Sequence, residues 1–373
     1  MSVWVVTSSY PRFPRESVNA GVVARDLALG IRSAGHDVTI VTPDKPGGIE
    51  FDRDLAGLTI PWLRPSIQIS DLSGRPTDLA RAASLMINGR RLMREQAVRN
   101  PPAGIVALWG LPSGIFARWA AKTAHCPYAV WLLGSDVWRA GDFPGGRRLL
   151  SQVVRDASST FADGVALARE ATRITGERVE FLPSARRLPP ATVPRARDLD
   201  ILFVGRYHPN KGPDILLSAL EVMSRDGARF TAEFHGSGVL KDDLERRMIS
   251  SDLSSNVTLR PPIEAQAFSN RLAQSRVLAI PSRIESIPLV LGDAIQARTP
   301  VVATRVGDMG DLVEELGIGL TVDPEYPEAM AEALEAVIAG EFQVTDWNRA
   351  DSLLSPDVAI DGLLGALDLG AAR

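Results

Sequence analysis

Residues 278–312 read LAIPSRIESIPLVLGDAIQARTPVVATRVGDMGDL. The stretch opens on an apolar run, Leu278 to Ile280, which Pro281 and Ser282 stop, and it closes on a second run, Thr299 to Thr304. Both read as short buried strands. Between them Pro288 stands where a first helical turn accepts proline, with Ser286 before it as the cap. Leu291, Ala294, Ile295 and Arg298 continue at helical spacing. The order is therefore strand, loop, helix, strand. A parallel pair joined this way puts its strand-to-helix loop at the carboxyl edge of a sheet, where open α/β sheets bind ligands. That loop holds Glu285, and Asp293, about two helical turns past the cap, is expected on roughly the same face. Carboxylates accept from hydroxyls, and free N–H groups at a helix start receive an anion, which suggests a ligand carrying both hydroxyls and phosphate. On periodicity alone, an ordinary βαβ unit with solvated acids fits equally well.

Working outward, a chain of 373 residues has room for two domains, each with its own core. At 45% hydrophobic and 23% charged, its composition is that of a globular protein. A net charge of -4 and a pI near 5.7 argue against a general nucleic-acid binder, which carries an overall basic balance. The single cysteine, Cys126, allows no internal disulfide, and with four scattered histidines it offers no zinc site. The opening residues lack the charged and apolar regions of a signal peptide. Neither that apolar run nor Tyr128 to Leu133 approaches the roughly 20 apolar residues a membrane span needs. A cytoplasmic protein is expected, with peripheral attachment to the inner membrane face left open. All but four of the 41 basic residues are arginine; the lysines are at 45, 122, 211 and 241.

Taken in order, Val3 to Thr7 is a strand, Ser8 to Ala20 a loop, and Gly21 opens a helix with Val23, Leu27 and Ile31 at every fourth position. Gly35 caps it and Asp37 to Thr42 is the next strand. This is a Rossmann-like opening without G-x-G-x-x-G, so it is not a dinucleotide fingerprint. His36 reads as a turn residue. Residues 44–77 are loop and short strand pieces. Helical spacing returns near Asp78, with Ala82, Met86, Met93 and Ala97 on one face and Arg81, Arg90, Arg91, Arg94 and Arg99 around them. That basic surface is either a solvated face or a patch that rests on anionic lipid. Ile105 to Leu108, Ala129 to Leu133, Thr160 to Ala162 and Val179 to Leu182 read as further strands, with a helix over 113–123. Trp62 and Trp138 are candidates to stack on sugar rings, although core packing is the commoner use of tryptophan.

After a Pro- and Arg-rich stretch, Pro183 to Asp198, the pattern restarts. The strand Asp200 to Val204 leads into Gly205-Arg206-Tyr207-His208-Pro209-Asn210-Lys211-Gly212 and a helix from Pro213. The strand Ala232 to Phe234 is followed by Gly236-Ser237-Gly238, and Val257 to Leu259 by Arg260-Pro261-Pro262. Later come a helix, Pro327 to Ala339, and an apolar tail, Pro356 to Leu369. Together with Pro281-Ser282-x-x-Glu285, Asp293, Thr299-Pro300-Val301-Val302 and Val306-Gly307, these motifs resemble the donor-site signature of the retaining glycosyltransferases of family 4. In that family two glutamates flank seven residues; here the second acid is Asp293. On the other side, Gly134-Ser135-Asp136 is similar to the family's acceptor-side loop, with Leu133 where a histidine is common.

The resemblance implies an α/β protein with two Rossmann-like domains facing across a cleft, the GT-B fold. It implies domains at 1–185 and 200–345, a linker at 186–199, and a tail at 346–373 returning to the first domain. Sugar would move from a nucleotide diphosphate sugar with retention, to a glycan, lipid-linked or small-molecule acceptor. Arg206 and Lys211 would clamp the diphosphate, Arg as a planar fork and Lys as a point charge. Glu285 would hold sugar hydroxyls, Asp293 the ribose, and Asp136 would serve as base or acceptor contact. Gly21, Gly205, Gly236, Pro262, Ser286, Ile287, Pro288 and Leu289 would complete the donor side. No metal or further cofactor is expected, and Asp52-Arg53-Asp54 is discounted as a metal motif because it lies in the wrong domain. Three rivals stay open: a sugar-nucleotide epimerase of the same fold, a non-catalytic nucleotide-sugar-binding subunit favoured by Leu133, and an NAD-dependent dehydrogenase disfavoured by the absent fingerprint.

Overall fold

Two parallel sheets organise the chain, and in a computed structural model they are described over residues 1–14, 21–66, 76–142, 145–194 and 197–370. Parts of the expected loops, at 15–20 and 67–75, and residues 195–196 of the expected linker lie outside the described residues. Contacts divide the chain into one unit of residues 1–184 with 356–373 and a second of residues 185–355.

In the first unit the strands are β1 (Ser2–Thr7), β2 (Asp37–Pro43), β3 (Ala56–Ile60), β4 (Gly104–Leu108), β5 (Tyr128–Leu132), β6 (Ser159–Ala162) and β7 (Glu180–Phe181). They pair in parallel in the order β3-β2-β1-β4-β5-β6-β7. Sheets of this kind are covered on both faces, so their strands are continuous apolar runs; GIVAL of β4 and YAVWL of β5 are buried throughout. The helices are α1 (Gly21–Ser33), α2 (Pro76–Arg99), α3 (Ser113–Ala124), α4 (Ser135–Trp138), α5 (Gly146–Asp156) and α6 (Val165–Thr175). Trp4, Trp131 and Phe116 are fully buried, and the Trp131 indole donates to Leu182 O at 2.9 Å, which satisfies its one polar atom.

The second unit repeats the plan. Its strands β8 (Leu199–Val204), β9 (Ala232–His235), β10 (Val257–Arg260), β11 (Ser275–Ile280), β12 (Val301–Thr304) and β13 (Gly319–Val322) pair in parallel in the order β10-β9-β8-β11-β12-β13. Around them lie α7 (Pro213–Arg225), α8 (Lys241–Ser250), α9 (Ala265–Gln274), α10 (Leu289–Ala297), α11 (Met309–Leu316), α12 (Pro327–Ala339) and α13 (Trp347–Leu354). The last helix, α14 (Pro356–Ala366), belongs to the first unit and packs on α1. Ile360 fills the place a side chain at Gly30 would need, with its Cδ1 2.2 Å from a built Cβ. In both sheets the strand order reverses at one point, between β1 and β4 and between β8 and β11. This is the Rossmann arrangement, and its ligand crevice opens at the carboxyl ends of the strands beside the reversal.

Three boundaries differ from the sequence reading. The expected linker, 186–199, is not free and ends in the first residue of β8: Leu188 N donates to Gln296 Oε1 (3.0 Å), Thr192 N to Asn270 Oδ1 (2.8 Å) and Arg197 Nη2 to Arg298 O (2.9 Å), which lays the described part along α9 and α10. The tail returns to the first unit only from Pro356, because Arg298 holds Asp351 and covers the Trp347 ring at 5.7 Å, keeping α13 in the second unit. Finally, α10 starts at Leu289. Pro288 has an extended ψ of 141° and is itself the cap, so Ser286 lies outside the helix and its hydroxyl faces Asp308 Oδ2 at 3.3 Å.

Candidate functional site

Four loops of the second unit meet at the carboxyl edge of its sheet, those after β8, β9, β11 and β12. Glycine permits their contact. Gly212 has φ +63°, and a Cβ there would lie 1.8 Å from Pro281 O; at Gly307, with φ +54°, a Cβ would lie 2.0 Å from Glu285 O. At Gly236 the added atom would come within 2.0 Å of Gly205 O. Backbone therefore touches backbone at each junction. Beneath them Tyr207 is fully buried and its hydroxyl donates to Phe234 O (2.8 Å), with Arg260 O 3.0 Å away. Burial pushes its phenol up to about 12, so the group stays protonated as a fixed donor.

On this frame the β8 loop ends in a short 3₁₀ turn, Pro209–Lys211, with the His208 ring accepting from Asn210 N at 3.2 Å. The turn presents Lys211, whose ammonium pairs with Glu285 from the β11 loop. Both side chains are only partly covered, 28% and 18% exposed, so the pair can be reached from solvent. Arg206, in the same β8 loop, is exposed and makes no ion pair among the described residues. Among the described residues no side chain caps α10; Leu291 N donates to Pro288 O (2.9 Å), and the N–H groups ahead of it face an outside acceptor. Two cations, one carboxylate and an uncapped helix start thus share the reversal point of the sheet, an arrangement suited to a phosphate with hydroxyls nearby.

Other residues expected at the site fall around it. Gly205 and Gly236 are in mutual contact, Ile287 and Pro288 are buried, Leu289 is partly covered, and Pro262 is exposed on the loop after β10. Asp293 requires a correction. Its expected place beside Glu285 assumes a helix capped by Ser286, but residues 285–288 are not helical, so Asp293 is the fifth residue of α10 and turns inward. It is wholly buried, and Arg186 grips both oxygens, Nε at 3.0 Å from each and Nη2 at 2.6 Å from Oδ2. Arg186 also lies over the Phe268 ring at 5.4 Å. Glu285 and Asp293 therefore have different partners. Arg186 escaped the sequence reading because it stands 107 positions from its partner within an Arg-rich stretch.

In the first unit Gly21 is the buried first residue of α1. Asp136 is on α4, just past the carboxyl end of β5. Its Oδ2 accepts from Gly110 N at 2.5 Å, while Oδ1 is buried without a hydrogen-bond partner among the described residues. Burial, opposed by the Gly110 N–H, pushes its carboxyl up to about 6. Trp62 is a core residue: its indole donates to Asp44 O at 2.8 Å and Arg81 covers its ring. Trp138 is 58% exposed. Asp52 is taken up by Arg25, at 2.7 and 2.9 Å.

The fold is shared with solved structures at low identity. Sucrose-phosphate synthase from Thermosynechococcus elongatus superposes with a TM-score of 0.68 at 17% identity, covering 99% of this chain and 96% of that one. Anabaena Alr3699/HepE, solved in complex with UDP-glucose, gives 0.67 at 14%, covering 99% and 98%. Among curated proteins, the D-inositol 3-phosphate glycosyltransferase of Rhodococcus opacus is 28% identical over 246 residues, 60% of this chain and 55% of that one. The matched stretch thus spans about half of that relative's length. Residues 20–185 match the family described as glycosyl transferase 4-like domain, and residues 198–339 that described as glycosyl transferases group 1. With one match on each unit and both of one kind, the chain belongs to the group 1 glycosyl transferases of family 4 and has their GT-B fold of two Rossmann-like domains.

Proposed function

We propose that this protein is a retaining glycosyltransferase that moves a sugar from a nucleotide diphosphate sugar to a hydroxyl of a glycan, lipid-linked or small-molecule acceptor. The observation that carries this reading is the Lys211–Glu285 pair beside the uncapped start of α10, with Arg206 exposed in the same loop. In the slow step the bond to the diphosphate breaks, negative charge grows on the departing phosphate, and the sugar gains oxocarbenium character. Arg206 and Lys211 stabilise that charge without a metal, and Glu285, released from Lys211 as the phosphate takes its place, accepts from sugar hydroxyls. Asp293, wholly buried and held by Arg186, is not offered to the ribose in this arrangement. Asp136 acts on the acceptor side. The complex of Alr3699/HepE with UDP-glucose makes UDP-sugars the first donors to try, and the name of the curated relatives makes a phosphorylated polyol the first small acceptor.

A lipid-linked acceptor at the inner membrane face of a cytoplasmic enzyme is supported by α2. Its outer side exposes Leu79 (64%), Ile87 (69%) and Val98 (72%) between Arg90, Arg91 and Arg94, the mixture that rests on anionic lipid. Among the described residues no helix is long and apolar enough to cross a membrane. Flotation with phosphatidylglycerol vesicles should carry the protein and phosphatidylcholine vesicles should not. Equal recovery from both would remove the lipid contact.

The transfer reading is tested by incubating the protein with labelled UDP-sugars and candidate acceptors, with and without EDTA. Glycoside product that survives EDTA and is lost in Glu285→Gln, at unchanged folding stability, is the expected result. Donor binding without turnover for any acceptor would favour the non-catalytic subunit, and a new sugar nucleotide formed from donor alone would favour the epimerase.

A further inference from the structure

Arg283 lies in the β11 loop two residues before Glu285, and it spends every donor it has. Its Nε bonds Glu325 Oε1, Nη1 donates to Pro209 O (2.7 Å) and Asp214 Oδ1 (2.8 Å), and Nη2 to Asp214 Oδ2 (2.7 Å) and Glu325 Oε2 (3.1 Å). A guanidinium has five N–H bonds, so none remains for a ligand. The backbone joins in, with Arg283 N donating to Asn210 O at 2.9 Å. Three segments are drawn together by this one side chain: the turn that presents Lys211, the first turn of α7 through Asp214, and the loop after β13 through Glu325.

We propose that Arg283 is a positioning residue of the donor site, the brace that holds the Lys211 turn against Glu285 and so places the Lys211 ammonium for the diphosphate. The inference rests on the reading of that site as a nucleotide-sugar site. Two consequences of the geometry support it. Lys211 and Glu285 each lie within two residues of an atom bonded to Arg283 or its backbone, Asn210 on one side and Arg283 itself on the other, so loss of the brace is felt first at their pairing. Without Arg283, Asp214 would put a carboxylate compensated only by Arg247 and the amino end of α7 next to the turn that must receive an anion. Burial alone would raise its carboxyl, but the bonds and charge of Arg283 hold it below the usual range, ionised and neutralised in place.

The test uses a readout that needs no ligand. The chain has four lysines, and Lys122 and Lys241, with side chains 58% and 53% exposed, are internal references for Lys211 at 28%. Acetylation by an N-hydroxysuccinimide ester, followed residue by residue by mass spectrometry, should modify Lys211 several-fold more slowly than Lys241 in the wild type. In Arg283→Gln that protection should be lost while Lys122 and Lys241 are unchanged. In parallel, UDP and GDP are titrated into wild type, Arg283→Lys, Lys211→Ala and the double variant. Arg283→Lys keeps the charge but loses the fork, so it should weaken the bound diphosphate about tenfold. That loss should vanish on the Lys211→Ala background, because the brace acts through Lys211. Unchanged protection of Lys211 in Arg283→Gln, or a tenfold loss that persists without Lys211, would overturn the proposal. A change in labelling with no diphosphate bound by the wild type would uphold the brace and overturn the nucleotide reading. If Arg283→Gln does not fold, Glu325→Ala removes one arm of the same brace and is read in the same way.

Discussion

Between pH 4 and 6 the Asp136 carboxyl should take stability from the first unit as the pH rises, and Asp136→Asn should remove that component. In the folded chain the Asp136 carboxyl is pushed up to about 6 by burial, against about 3.9 for an ordinary aspartate. Over this window the folded state keeps a proton that the unfolded state gives up. The stability linked to that proton is complete below about pH 3.9 and is lost as the pH rises through about 6. At about 1.4 kcal/mol for each pH unit, the full difference approaches 3 kcal/mol. Asp156 works with the opposite sign, since Lys122 and Arg118 hold its carboxyl below the usual range, so the quantity to read is wild type minus variant. Urea unfolding followed by tryptophan fluorescence reports on the relevant unit, because six of the seven tryptophans lie before residue 140. A difference that stays within about 0.5 kcal/mol from pH 4 to 6 would refute the reasoning. So would a difference of opposite slope.

Two further outcomes follow from packing. Arg186→Ala leaves the wholly buried Asp293 unpaired and should cost the second unit about 3–5 kcal/mol by scanning calorimetry, with recovery in the Arg186→Met, Asp293→Leu double variant. A loss under about 1 kcal/mol would mean that Asp293 finds another partner. Gly212→Ala forces a side chain into the left-handed region, about 1–2 kcal/mol in itself, and into Pro281 O, so it should lower stability by more than that and displace Lys211. An alanine variant as stable as wild type would show that the two loops can separate freely.

Much of the fold was legible because parallel strands covered on both faces appear as unbroken apolar runs, as GIVAL and YAVWL do. The loops carrying Lys211 and Glu285 were legible for the same reason, since each follows directly on such a run. Less visible were features set by partners distant in sequence. Residues 186–199 have the composition of a linker, yet Gln296, Asn270 and Arg298 tie down Leu188, Thr192 and Arg197, and nothing in the order of the stretch announces those partners. The start of α10 was misplaced because proline suits both the first turn and the cap, and only its ψ distinguishes them. That small shift moved Asp293 from the open edge to the interior. Arg283 occupies an unassigned place in Pro281-Ser282-x-x-Glu285, and the partner that gives it a use, Asp214, stands 69 positions away, outside any local motif.

The most direct test of the account is calorimetric titration of the whole chain with UDP, GDP and ADP, repeated with Lys211→Ala and Arg206→Ala for whichever binds. Hydrogen bonds to charged groups are worth about 1.5–3 kcal/mol, so each variant should weaken the bound diphosphate by roughly ten- to a hundredfold. Affinity unchanged in both variants, or no diphosphate bound by the wild type, would contradict the claim that the loops after β8 and β11 form a nucleotide-sugar site.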